Sequence, residues 1–329
     1  MYQPIENYGA IGNVRTIALA GMDGSIDWFC YPDIDSPSIF GAILDDSKGG
    51  RFRIAPADET VRRKQSYWPS TNILVTRFFN DEGIAELQDF MPLRRGSIIP
   101  GSICRRIRGV RGQVRFRIEC SPAFDYGRQP HRVTICQHGA RFDSPSLALS
   151  LSSSIPLREA GCGSVTGEFV LDQGQTVLLI LGPCGDGEIA LPIPSESGAE
   201  DLFNETVNYW RAWLSACDYR GRWREQVERS ALILKLLTFQ PTGAIVAAAT
   251  CSLPEAIGAG RNWDYRYTWI RDAAFTVYAF LRIGFKEEAA AFIDWICKYV
   301  ARDQDAAEGS HTLLTVRGEL PINEQVLSH

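Results

Sequence analysis

Twelve consecutive residues, Arg261-Asn262-Trp263-Asp264-Tyr265-Arg266-Tyr267-Thr268-Trp269-Ile270-Arg271-Asp272, hold four aromatic rings, three arginines and two aspartates. That mixture suits a sugar. A pyranose offers apolar C–H faces that lie on aromatic rings, and a rim of hydroxyls that needs charged donors and acceptors at fixed angles. Adjacent Arg271 and Asp272 can hold neighbouring hydroxyls from opposite sides, with Trp263 and Trp269 as walls. The same residues also suit a plain helix start, with Asp264 near its N-terminus, the rings in a core, and Arg271 ion-paired to Asp272. Residue types alone leave the two readings equally open.

Other chemistries have less behind them. The histidines (His131, His138, His311, His329) lie far from any paired cysteines, and the nine cysteines, at 30, 104, 120, 136, 162, 184, 217, 251 and 297, are scattered without a C-x-x-C pair. No metal site and no cofactor are expected. Such cysteines read as buried free thiols of a reducing, cytoplasmic protein. The net charge of -5 and the pI near 5.5 give no reason to collect phosphates, so a nucleic-acid binder is not expected. One basic stretch, 105–117, places Arg115 and Arg117 two apart, which on a strand is one face, and it reads as solvated. Val177–Leu181 and Ala244–Ala249, the longest apolar runs, fall far short of the roughly 20 residues that cross a bilayer. Residues 1–28 lack the pattern of a secretory signal.

The elements that would carry this stretch change character along the chain. From Asn13 to about Leu191, short runs of β-branched and aromatic residues alternate with Gly, Pro, Asp and Asn, the pattern of an antiparallel β-sandwich. Ile73–Phe79, Val114–Ile118 and Val177–Leu181 are its clearest strands. Asp27 and Trp28 read as a structural turn near the amino terminus, although such a loop could also reach a sugar site. After Pro192-Ile193-Pro194 the period shifts to that of a helix, with Phe203, Val207, Trp210 and Leu214 on one face. A second helix is predicted over 223–239, stopped by Pro241. Ala244–Ala249 could open another, before an irregular loop around Pro254, Gly258 and Gly260. Helical spacing returns over 268–282, breaks at Gly284, and resumes with Ala289, Phe292, Ile296 and Tyr299 on one side, forming an αα-hairpin. Residues 303–329 are polar and reach the end without a recognisable cap, so the chain reads as cut rather than finished.

The twelve-residue stretch, with Pro241-Thr242-Gly243-Ala244-Ile245-Val246-Ala247-Ala248 and Ser252-Leu253-Pro254-Glu255, resembles the opening of a glycoside hydrolase family 15 catalytic domain. The likeness extends through Gly221-Arg222-Trp223-Arg224, Arg229-Ser230-Ala231-Leu232, Gly284-Phe285 and Asp294-Trp295-Ile296. The front half, through Ile11-Gly12-Asn13, Asp23-Gly24-Ser25-Ile26-Asp27-Trp28, Asp89-Phe90-Met91-Pro92 and Asp125-Tyr126-Gly127-Arg128, resembles the trehalase-like amino-terminal domain of bacterial members.

The resemblance implies a fold of β then α: a sandwich over 1–195, a helical linker over 196–221, and over 222–329 the first helices of an incomplete (α/α)6 barrel. It implies that Arg271 and Asp272 grip the nonreducing-end glucose of an α-glucan or of trehalose, and that the bond is cleaved with inversion by an acid and a base carboxyl. The family's two glutamates are expected beyond His329, so no catalytic residue is assigned, and Glu255, Asp264 and Glu324 match neither motif. Little hydrolysis is expected of these residues alone. Glucoamylase and trehalase specificity stay unseparated, a non-catalytic glucan-binding fragment is the alternative, and assembly into a homo-oligomer is left open.

Overall fold

The computed structural model describes residues 2–58, 60–94, 101–185, 192–252, 262–302 and 312–319. Fifteen strands from Tyr8–Gly12 to Thr176–Pro183 form one antiparallel sheet. Where the sequence suggests two packed sheets, a single strand, Ile103–Ser121, runs through both arms of one. Its first half pairs with Gly83–Phe90 and Thr176–Pro183, and its second half with Arg51–Pro56 and Ser164–Asp172. At the change of partners Gly112 has φ of +59°, and a Cβ there would sit 2.0 Å from the Glu82 carbonyl oxygen, so only glycine fits. The arms share a core in which Phe78 meets Phe116 edge-on at 5.8 Å and Phe116 stacks on Phe169 at 5.4 Å.

The strands foreseen at 114–118 and 177–181 lie within observed ones, and that at 73–79 is observed as Leu74–Phe79. In the second, Val114, Phe116 and Ile118 face inward while Arg115 and Arg117 face water. Of the basic stretch, Arg108, Arg111, Arg115 and Arg117 are solvated, while Arg105 and Arg106 are not. Arg105, at its start, is fully buried and forks onto Asp89, its cross-strand partner, at 2.8 and 3.2 Å, and also donates to the carbonyls of Phe52 and Gly24. Alternation in a sequence marks a face without saying whether that face is wet.

Four helices follow among the described residues: α1 (Glu196–Leu214), α2 (Arg224–Leu236), α3 (Ile270–Arg282) and α4 (Lys286–Arg302). Ser195 caps α1 by accepting the Gly198 N–H, and Phe203, Val207, Trp210 and Leu214 are buried as the spacing predicts. Phe203 lies edge-on to Phe90 and Trp68, docking α1 on the sheet. α2 stops at Leu236, short of the predicted Phe239, because Thr238–Phe239 turns back to pair with Ala244–Ile245. Ala244–Ala249 therefore opens no helix. A six-residue apolar run carries no decisive period, and its backbone partners, reached through the Gly243 reversal at φ +89°, determine its state. The hairpin of α3 and α4 turns at Gly284, φ +97°, as foreseen. Trp213 of α1 stacks on Phe285 at 4.1 Å, and its indole N–H joins the Lys235 ammonium on the Glu288 carboxylate, at 2.5 and 2.9 Å, tying α1, α2 and α4 together.

Phe275, Tyr278 and Leu281, spaced by three along α3, point outward. No described helix is long and apolar enough to cross a membrane. All nine cysteines are free, yet only Cys30, Cys104, Cys120 and Cys217 are buried, and Cys162 and Cys297 are exposed.

Candidate functional site

Residues 263–269 run beside 247–252, with a bend at Arg266-Tyr267. The N–H groups of Ala247, Ala248 and Ser252 donate to the carbonyls of Tyr267, Tyr265 and Trp263 at 3.1, 2.7 and 2.7 Å, and Cys251 bridges Asp264. Arg266 and Thr268 are buried, while Trp263, Tyr265 and Trp269 keep exposed surface. Two residues, Thr268–Trp269, pair with Leu313–Leu314 before α3 begins. This strand replaces the first turn of the predicted helix.

The rings form a corner. Trp263 stands perpendicular to Trp269 at 6.4 Å, Tyr265 tilts against Trp269 at 5.4 Å, and the Trp269 N–H donates to the Asp264 carbonyl at 3.1 Å. The Arg271 guanidinium lies 5.9 Å from the Trp269 ring. Arg271 also donates to the Asp272 carboxylate at 3.0 Å, with side chains 68% and 36% exposed. Asp272 sits in the first turn of α3, where the helix dipole favours a negative charge. The four residues singled out in the sequence thus share one exposed corner, and an ion pair this open exchanges readily for contacts to a ligand.

Beneath the corner lies a hub that the sequence reading missed. Arg266, 2% exposed, forks onto Asp264, donates to the Ser36 carbonyl at 2.6 Å and the Tyr126 hydroxyl at 2.5 Å, and reaches the Cys30 sulfur at 3.2 Å. Trp28, 5.6 Å from that guanidinium, donates its indole N–H to the Ala249 carbonyl at 2.7 Å. Asp27 and Trp28 are not a turn but the buried middle of the strand Ser25–Cys30, with Asp27 accepting from Tyr8 and Ser25. The alternation of Asp264, Arg266 and Thr268 marks a shared face without saying what it meets, and the groups that anchor Arg266 to the sheet lie more than a hundred residues away.

Burial dominates the ionisations here. It pushes the Cys30 thiol up to about 11, even against Arg266, and the Cys251 thiol, aided by Asp264, up to about 12. Neither is a thiolate near neutral pH, so neither suits nucleophilic attack. Burial likewise raises Tyr267 to about 12, Tyr126 well above its ordinary range, and the carboxyl of Asp35, which accepts the Val316 N–H at 3.1 Å. Asp264 is committed to Arg266, while Glu255 and Glu324 lie outside the described residues. Among the described residues, no group of three or more His, Cys, Asp or Glu is placed to hold a metal ion.

The family "Trehalase-like, N-terminal" matches residues 1–196, and "Glycosyl hydrolases family 15" matches residues 221–312. A protein named trehalase from Thermoplasma volcanium is 39% identical over 331 residues, covering 100% of this chain and 52% of its own length. The trehalase of Thermoplasma acidophilum is 38% identical (87% of this chain, 49% of that protein), and that of Mycolicibacterium smegmatis 32% (100% and 52%). The chain therefore spans about half the length of these relatives. Among solved structures, one provisionally described as a kojibiose phosphorylase from human microbiome superposes with a TM-score of 0.51 at 8% identity, over 91% of this chain and 47% of that one, a likeness of fold.

Proposed function

We propose that this chain, which belongs to the glycosyl hydrolases of family 15 that carry a trehalase-like amino-terminal domain, serves the hydrolysis of an α-glucoside, with trehalose as substrate. The observation that carries the reading is the exposed corner where Arg271 and Asp272 sit against the Trp263–Tyr265–Trp269 rings. A glucose ring lies on the aromatic faces, Arg271 donates to one hydroxyl, and Asp272 accepts from its neighbour. Trehalose is preferred to maltooligosaccharides because the relatives of 32–39% identity compared above are named trehalases.

The proposed chemistry is inversion: one carboxylic acid protonates the glycosidic oxygen while a carboxylate opposite activates water, the two about 6.5–9.5 Å apart. Neither role is given to a described residue of this chain, since Asp264 is held by Arg266 and Glu288 by Lys235. The proposed division is a β domain over 1–195, a linker over 196–221, and the opening of an (α/α)6 barrel from 222. Titrating the protein with trehalose and with maltotriose tests the reading. Trehalose binding that Arg271→Ala removes supports it, and binding of neither sugar overturns it.

A further inference from the structure

We infer that Arg266 is a positioning residue through which the amino-terminal sheet holds the Trp263–Asp272 corner in its sugar-binding shape. The inference rests on the proposed function for what the corner binds, and on geometry alone for what holds it.

Arg266 itself is too buried to touch a ligand. Its donors divide between two parts of the fold. Nε and Nη2 grip Asp264, within the corner, while Nη1 and Nη2 reach Ser36, Cys30 and Tyr126, all from the sheet region and 230, 236 and 140 residues away in sequence. The chain of contact then continues outward. The carbonyl of Asp264 accepts the Trp269 indole N–H, and the Arg271 guanidinium lies beside that ring. Moving Asp264 therefore moves the ring wall and the residue poised beside it.

Two further features favour geometry over bulk stability as the reason for this arrangement. A buried ion pair is often matched in stability by apolar residues of the same volume, so what it adds is a fixed direction for each donor. A lysine would keep the charge but lose the planar fork that spans Asp264 on one side and the sheet on the other. The tyrosine that completes the grip is also held under strain. Asp125 and Tyr126 have φ of +52° and +57°, a left-handed conformation that side-chain-bearing residues disfavour and that survives only where the surroundings enforce it. The loop Asp125-Tyr126-Gly127 thus holds a strained form with the Tyr126 hydroxyl on Arg266.

The test uses the full chain and three variants, Arg266→Lys, Arg266→Ala and Tyr126→Phe, titrated with trehalose and followed by amide hydrogen exchange. Arg266→Lys is expected to weaken binding about tenfold to a hundredfold, the effect of a misplacement on the order of an ångström, and Tyr126→Phe about fivefold. In both, the amides of Ala247, Ala248 and Ser252, which bond to the corner backbone, exchange faster, while those of Leu179 and Ile180 in the sheet do not change. Added ethylguanidinium restores part of the binding lost in Arg266→Ala, a rescue that a merely space-filling role would not allow. Should Arg266→Lys fail to fold, Tyr126→Phe carries the test.

Wild-type binding with unchanged corner amides in Arg266→Lys or Tyr126→Phe overturns the inference, as does faster exchange throughout the sheet. If the wild type binds no sugar, the functional reading falls by itself, and the exchange of the three corner amides still decides whether Arg266 positions them.

Discussion

Replacing Arg271 by alanine separates a binding role from a structural one, because the geometry assigns very different magnitudes to the two. Among the described residues of the free protein, Arg271 pairs with Asp272 at 3.0 Å, with 68% and 36% of the side chains exposed. Such a pair contributes at most about 1 kcal/mol. In a chain of this size that loss lowers Tm by no more than about 4 °C. Bound to glucose, the same guanidinium would make a charge-assisted hydrogen bond in a partly desolvated corner, worth about 1.5–3 kcal/mol, so its removal weakens binding about tenfold to 150-fold. Asp272→Asn, which keeps the shape and an acceptor oxygen, should lose less. Calorimetric titration with trehalose and thermal unfolding by circular dichroism, run on the same preparations, measure both quantities. A large drop in Tm, or affinity equal to wild type, would refute the reasoning that these side chains are held open for a ligand.

Other outcomes follow from the packing around the corner. Lys235→Met leaves the Glu288 carboxylate buried without its cation and should cost about 3–5 kcal/mol in urea unfolding. Burial works against that carboxylate, but Lys235 and the Trp213 N–H outweigh it and hold its pKa below the ordinary 4.5. The folded state therefore binds this proton more weakly than the unfolded one. The stabilisation is full above pH 4.5, fades as pH falls below it, and should be absent from the acid titration of Lys235→Met, and an unchanged slope there would contradict the assignment. Trp28→Phe strands the Ala249 carbonyl and should cost about 1–3 kcal/mol, with faster exchange of the Ser252 amide as its signature. Ellman titration of the native protein should find Cys162 and Cys297 reactive first, with Cys30 and Cys104 silent until unfolding; early labelling of Cys30 would mean that the hub opens.

Local pattern carried much of this fold. The faces of α1 and α4 and the strands around Phe78, Phe116 and Leu179 follow from periods of 3.6 and 2, which depend only on near neighbours. Where the reading failed, long-range partners decide. Arg105 looks solvated until Asp89 is seen across the ladder, and Ala244–Ala249 looks helical until Phe239 and Tyr267 are found beside it. The corner itself was legible as a density of rings and charges, so Trp263, Trp269, Arg271 and Asp272 could be named together. Arg266 lies within the same twelve residues, yet nothing local distinguishes an arginine that faces a ligand from one anchored to Tyr126 and Ser36.

The strand Ile103–Ser121 has a consequence for how the molecule comes apart. Because a single thread is stitched into both arms, with Leu87 and Leu179 flanking one end and Ile54 and Phe169 flanking the other, neither arm can shed its neighbours without fraying the seam of its twin. Heat or denaturant should then dissolve the whole fabric in one step, and a weakness sewn into either side is inherited by both.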